Sequence, residues 1–175
     1  ISWTVNLRKD IERRTSHEYL DDIRYSMYRP FQKQHLYYHK PFIERIGLSP
    51  KLFPTPKHEN LVICVSGIGA SKDFSTLITD CIPDLQLQFN GQCFPLYWYD
   101  DSTADIADLF SQASDNEMDK YIRRDGVTDW ILSTARKQYG SKPQITKEDI
   151  FYYVYGILHS PDYRTTFASD LKKSL

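Results

Sequence analysis

A glycine-rich loop ahead of a lysine, Gly67-Ile68-Gly69-Ala70-Ser71-Lys72, follows the apolar run Leu61–Val65 and has the outline of a phosphate cradle. Its spacing does not complete one. A P-loop places four residues between its first glycine and a Gly-Lys pair, then a Ser or Thr; here Ser71 precedes Lys72 and Asp73 follows it. The dinucleotide fingerprint fails as well, because Lys72 stands at its third glycine. What remains is a loop whose backbone can approach an anion closely, with Ser66, Ser71 and Lys72 along it. Ser66 lacks the flanking glycine of a nucleophile elbow.

The histidines His17, His35, His39 and His58 lie in turn-rich segments without a carboxylate at metal-ligand spacing. On a strand, His35 and His39 would share a face, but a metal would need further ligands. Asp100 and Asp101 open an acidic stretch that suits either a cation or solvent. The residue types that do suit nucleic acid lie in three places. Lys33-Gln34-His35 sets a cation, an amide and an imidazole between two aromatic segments, where they can read base edges or hold phosphates. The Ser66, Ser71 and Lys72 loop is the second. Arg123-Arg124 is the third, a guanidinium pair able to grip a phosphate backbone.

Charge is distributed to match. Residues 1–60 hold 11 Lys+Arg against 7 Asp+Glu, residues 61–120 hold 2 against 10, and residues 121–175 hold 9 against 6. Two basic surfaces around an acidic middle fit a polyanion on one side only, so the segment 100–119 is expected to point away from Lys33, Gln34, Ser71 and Lys72. Three widely spaced cysteines (Cys64, Cys81, Cys93) form neither a disulfide framework nor a zinc site, which implies a reducing cytoplasm. No apolar run approaches the roughly 18 residues of a membrane span. With 175 residues and 41% apolar composition the chain can bury a real core. Opening on Ile1, it is expected to be part of a longer protein.

The elements that must position these groups change along the chain. In the first third Pro30, Pro41, Pro50, Pro54 and Pro56 exclude long helices, and short strands are expected at Trp3–Leu7, Ser26–Phe31 and Leu36–His39. Leu61–Val65 reads as a buried strand and Phe74–Ile82 as another. Leu85–Phe89 alternates, Asn90-Gly91 is a hairpin signal, and Gln92–Tyr99 would be the return strand. A short helix is expected at Ala104–Phe110. From Thr128 onward the pattern turns helical: Thr128 caps a helix stopped by Gly140. Thr146 to Asp149 has capping-box spacing before an apolar face of Ile150, Phe151, Val154, Tyr155 and Leu158. Ser160-Pro161 restarts a helix with Tyr163, Phe167 and Leu171 on one stripe.

Tyr28-Arg29-Pro30-Phe31, Tyr37-Tyr38 and the run Asn60–Gly67 resemble the C-terminal part of type ISP restriction-modification enzymes. So do Gln92–Tyr97, Tyr121–Gly126 and, most specifically, Asp149–Arg164. The likeness covers residue 25 to the end. It implies a target recognition domain at the end of a long bacterial defence enzyme, after a nuclease, a helicase-like ATPase and an adenine-N6 methyltransferase. S-adenosylmethionine, ATP and magnesium would then belong upstream, with no cofactor and no small-molecule substrate here. The absence of an Asn-Pro-Pro-Tyr-like motif, a phosphate loop and an acidic helicase box agrees with that placement. One departure stands out: after Arg-Pro-Phe the family usually has an acidic residue and a basic pair, whereas this chain has Gln32-Lys33-Gln34. That implies a different sequence preference, or amide contacts in place of an ion pair.

The expected fold is α+β, a curled, mainly antiparallel sheet unit (1–120) followed by a small C-terminal helical bundle (121–175). The expected function is recognition of double-stranded DNA for the upstream methyltransferase domain, through Lys33, Gln34, His35, Ser66, Ser71, Lys72, Arg123 and Arg124. Two alternatives differ in class: a scaffold that packs its aromatic half on the methyltransferase, and a metal-dependent hydrolase or nuclease built on Asp100, Asp101 and Lys72.

Overall fold

The run Leu61–Val65 becomes β3 (Val62–Val65), and all four of its residues are no more than 2% exposed. A strand covered on both faces needs apolar residues without alternation, which is how this one reads. In the computed structural model, which describes residues 5–43, 45–68, 70, 72–88, 91–101, 120–140 and 144–173, β3 is the wall between two cores. Its alternate side chains divide between them. Val62 and Cys64 face a cluster with Met27, Tyr38, Leu52, Phe53, Leu77 and Ile82. Ile63 and Val65 face Leu96, Phe151, Leu158 and Leu171. At about 1.5–3 kcal/mol per buried aliphatic side chain, Val62, Ile63 and Val65 each add to the hydrophobic stabilisation.

Strand β3 is central in an antiparallel sheet, between β4 (Thr76–Thr79) and β6 (Gln92–Pro95). The second sheet pairs β1 (Ile23–Arg29) antiparallel with β2 (Gln32–Tyr37) and parallel with the two-residue β5 (Ile82–Pro83). The third pairs β7 (Tyr97–Asp101) with β8 (Tyr121–Asp125), so residues on either side of position 120 share one antiparallel ladder. Buried Asn60 fastens the junction between sheets. Its side-chain amide donates to the carbonyls of Leu52 and Tyr97 at 2.9 and 2.7 Å, and its oxygen accepts from the Leu61 and Tyr97 amides. All the bonding capacity of a buried amide is thereby used.

Several strand expectations are corrected. Of the stretch Trp3–Leu7, the described residues are helical rather than extended: helix α1 covers Val5–Glu12, with Leu7 its one buried residue, and Trp3 and Thr4 lie outside the described residues. Five alternating residues are too few to specify a strand against the run of strong helix formers that follows. Leu85–Gln88 is not a strand either, and Phe89 lies outside the described residues. Asp84 accepts from the Gln86 amide through its side chain and from the Leu87 amide through its carbonyl. This Asx turn puts neighbouring Leu87 and Gln88 both inside, which a half-buried alternating strand would not do. Phe74–Ile82 splits at Asp80-Cys81 between two sheets. Strand β6 pairs with β3, and among the described residues it pairs with no part of Leu85–Gln88. Gly91 serves a close crossing: a Cβ there would clash with the Val65 carbonyl oxygen. Asn90, Ser71, the expected helix at Ala104–Phe110 and all of 102–119 lie outside the described residues.

After Thr128 the expected helix caps and starts follow local chemistry and are met, although Val154, expected on the apolar face, is 42% exposed. Helix α2 is a single turn, Ser49–Leu52. Helix α3 (Asp129–Tyr139) is capped by Thr128, whose hydroxyl accepts from the Ile131 amide, and ends at Gly140 with φ 82°. Helix α4 (Lys147–Ile157) opens on the reciprocal Thr146–Asp149 capping box. Helix α5 (Pro161–Thr166) starts with proline after the Ser160 cap, and α6 (Ala168–Lys173) follows Phe167. Phe151, Leu158 and Leu171 are buried, with Tyr155 and Tyr163 packed at their margin, as expected. Phe167 is not buried. It stays 41% exposed and stacks on Tyr163, because the break between α5 and α6 turns it outward.

Candidate nucleic-acid interface

The β1–β2 hairpin places the first candidate triplet. Lys33, Gln34 and His35 sit on strand β2 rather than on a loop, so they alternate between its faces. Lys33 and His35 share a face with Tyr25 and Ile23, while Gln34, opposite Ser26, is on the other. His35 lies against the exposed Tyr25 ring, with centroids 4.8 Å apart. The Lys33 ammonium meets the Asp80 carboxylate at 2.7 Å. That hydrogen bond raises the lysine pKa and, in reverse, lowers that of Asp80. His39 leaves the strand, which ends at Tyr37, and packs with Tyr37 and Phe42. The two histidines therefore do not share a strand face.

The tip of this hairpin carries residues that the site reading from sequence omitted. Met27 faces Lys33 and Arg29 faces Gln32, so Tyr28 is a bulged residue. The Arg29 guanidinium lies 4.1 Å from the centre of the Tyr28 ring and reaches Asp84 at 3.5 Å. Phe31 has φ 63° and is 88% exposed. A positive φ on a bulky side chain costs on the order of 1–3 kcal/mol. The signal for these residues was in the Tyr-Arg-Pro-Phe stretch, but nothing in its types marks Phe31 as exposed.

The glycine loop divides. Ser66 is buried and extends the β3–β4 ladder: its hydroxyl accepts from the Ser75 amide at 2.9 Å and its own amide donates to the Ser75 carbonyl. It presents no group at the surface. Lys72 is exposed, and Ser71 lies outside the described residues.

Arg123 and Arg124 are on β8, and a strand sends neighbours to opposite faces. Arg123 lies over the Tyr97 ring at 4.4 Å, on the face that also carries Tyr99 and Tyr121. There Tyr99 is buried, donates to the Glu59 carbonyl at 2.7 Å, and meets the edge of His58. Arg124, on the Trp98 face, bonds the Asp100 carboxylate through Nε at 2.6 Å, and Lys51 approaches the other oxygen at 3.5 Å. An open cleft of about 450 Å³ borders this cluster, lined by Lys51, Tyr99, Asp100, Tyr121 and Arg124. Asp100 thus sits among cations. Among the described residues no three His, Cys, Asp or Glu side chains gather as metal ligands, and no helix is long and apolar enough to cross a membrane.

The family model of the type ISP C-terminal specificity domain matches residues 1–175. No curated protein matches the chain. Three solved structures are similar across its length. The ATP-dependent type ISP restriction-modification enzyme LlaBIII bound to DNA has 33% identity and a TM-score of 0.77, over 100% of this chain and 10% of that one. The DrdV–DNA complex has 33% identity and a TM-score of 0.80, over 99% of this chain and 15% of that one. A nuclease-deletion mutant of the type ISP enzyme LlaGI with a DNA substrate mimic has 29% identity and a TM-score of 0.70, over 99% and 13%. The chain spans only 10–15% of these relatives. With a specificity-domain model matching from the first residue to the last, and the same fold recurring in these enzymes, the chain belongs to the type ISP C-terminal specificity domains.

Proposed function

We propose that this domain recognises a short sequence in double-stranded DNA on behalf of an adenine-N6 methyltransferase and an ATP-dependent nuclease in the same longer chain, acting in the bacterial cytoplasm. The observation that carries the reading is the match of the whole chain to a specificity-domain family whose solved relatives hold DNA. The chemistry supports a division of labour. Gln34, His35 and the exposed groups at the end of the β1–β2 hairpin supply donors and acceptors for base edges, while Lys72 and the arginines of β8 supply phosphate contacts. Flipping and methylation of the adenine belong to the methyltransferase pocket.

A second contact is favoured by a specific observation. Helix α3 buries none of its residues and exposes Trp130 and Tyr139 by 73% and 71%. Exposed large aromatics of this kind fit docking on the methyltransferase domain, so the scaffold role would accompany recognition rather than replace it. The test is to exchange this domain for that of a relative in the full-length enzyme and map methylated adenines by sequencing. A methylated sequence that follows the exchanged domain is the expected result. An unchanged sequence would overturn the reading.

A further inference from the structure

Stability alone does not explain the tip of the β1–β2 hairpin. The two-residue connection is Pro30-Phe31, with proline holding φ near about −65° and Phe31 at 63°. That sequence of φ values belongs to a type II turn, whose third position favours glycine. A phenylalanine there bears the backbone strain, and with 88% of its surface in water it recovers almost nothing by burial. The bulge at Tyr28 immediately precedes it, and such bulges re-aim side chains near functional sites. Strain, a bulge and an unburied aromatic ring coincide at one point. They make sense together only if a partner receives the ring.

The side chains around the ring identify that partner's chemistry. Arg29, Gln32 and Gln34 are exposed on the same hairpin, and guanidinium and amide forks pair with guanine and adenine edges respectively. A protein interface core would instead be depleted of lysine and carboxylates, whereas Lys33, Asp80 and Asp84 stand beside this turn. The nearby cations are already matched by carboxylates, Arg29 by Asp84 and Lys33 by Asp80, so the hairpin approaches with little net charge. Its contact would therefore be one of shape and hydrogen bonding rather than phosphate attraction. A two-stranded ribbon is also the right width for the roughly 12 Å major groove.

We propose that Phe31 is a wedge: the hairpin enters a DNA groove and seats this ring at a base step, with Arg29, Gln32 and Gln34 reading the adjoining bases. This rests on the DNA-recognition reading above. The proposal is tested in the full-length enzyme with Phe31→Gly and Phe31→Trp, on a duplex carrying the sequence that the wild-type enzyme methylates and on a scrambled duplex. Phe31→Gly relieves the turn, so its melting temperature should be no lower than wild type. Its affinity for the cognate duplex should nonetheless fall about tenfold or more, the effect of losing one base–aromatic stack. Affinity for the scrambled duplex should change little, and Phe31→Trp should retain the discrimination. With 2-aminopurine placed at each position in turn, one step other than the methylated adenine should brighten on binding and lose that signal in Phe31→Gly. Unchanged discrimination and fluorescence in Phe31→Gly would overturn the wedge while leaving the recognition role intact. A wild-type enzyme that binds both duplexes equally would overturn the recognition role itself.

Discussion

Two antiparallel strand pairs of this domain use the same residue types in opposite ways. In β7–β8 the rings turn inward: Tyr99 is buried, bonded to the Glu59 carbonyl and edge-on to His58, and Tyr121 also meets that imidazole edge-on. In β1–β2 they turn outward: Tyr25 is 58% exposed and rests against His35, and Phe31 is in water. The cations differ too. Arg124 is matched by Asp100 within its own pair, whereas Lys33 and Arg29 are matched by Asp80 and Asp84 from outside theirs. The lesson is that an aromatic-rich segment can be a core or a contact surface. What decides is whether another element covers it.

That contrast can be broken most severely at the buried end. Tyr99→Ala should cost about 3–5 kcal/mol in chemical unfolding, by cavity formation and an orphaned Glu59 carbonyl, and Phe151→Ala should cost about the same in the second core. Tyr25→Ala should stay within about 0.5 kcal/mol. Equal losses at Tyr99 and Tyr25 would erase the distinction between the two pairs.

A smaller effect separates the two arginines of β8. In the full-length enzyme Arg124→Ala should leave Asp100, among the described cations, to Lys51 at 3.5 Å, so this carboxylate is less neutralised. If either arginine contacts phosphate, replacing it should weaken binding to any duplex alike and reduce the salt slope by about 1. Replacing both with an unchanged slope would show that Arg123, on Tyr97, and Arg124, on Asp100, serve only the fold.

The smallest effects are electrostatic. The Lys33–Asp80 pair is solvent-exposed and should be worth about 0.2–1 kcal/mol. Because the folded-state pKa of Asp80 is lowered, its contribution is present above about pH 4 and fades as pH falls through the lowered value. Lys33, raised in the folded state, keeps its share until pH rises past the ordinary lysine range. Acid unfolding of Lys33→Ala compared with wild type measures the first. The Asp149 carboxylate, lowered by the Thr146 amide it accepts from, should show the same sign in an NMR titration.

The helices were legible because their signals are local. Thr128, Thr146, Ser160 and Gly140 act within one turn of themselves, and each does what its type and position imply. Strand partners were not legible in the same way. Pro83-Asp84 turn chemistry overrode the alternation that follows it, and Gly91 serves a close crossing over Val65. Among the site candidates, Lys33, Gln34, His35, Lys72, Arg123 and Arg124 were found as surface groups, and Ser66 was not.

By itself, the sequence determined the buried strand at 61–65, the capped helices after Thr128 and the absence of a complete phosphate loop, since each depends on a few adjacent residues. Only the tertiary structure decided that β3 separates two cores, that Ser66 faces inward and that Arg123 and Arg124 part company. It alone also left Phe31 bare on a strained turn. These outcomes depend on which distant strand or loop covers a given face, and exposure is a property of the neighbours a residue acquires, not of the residue.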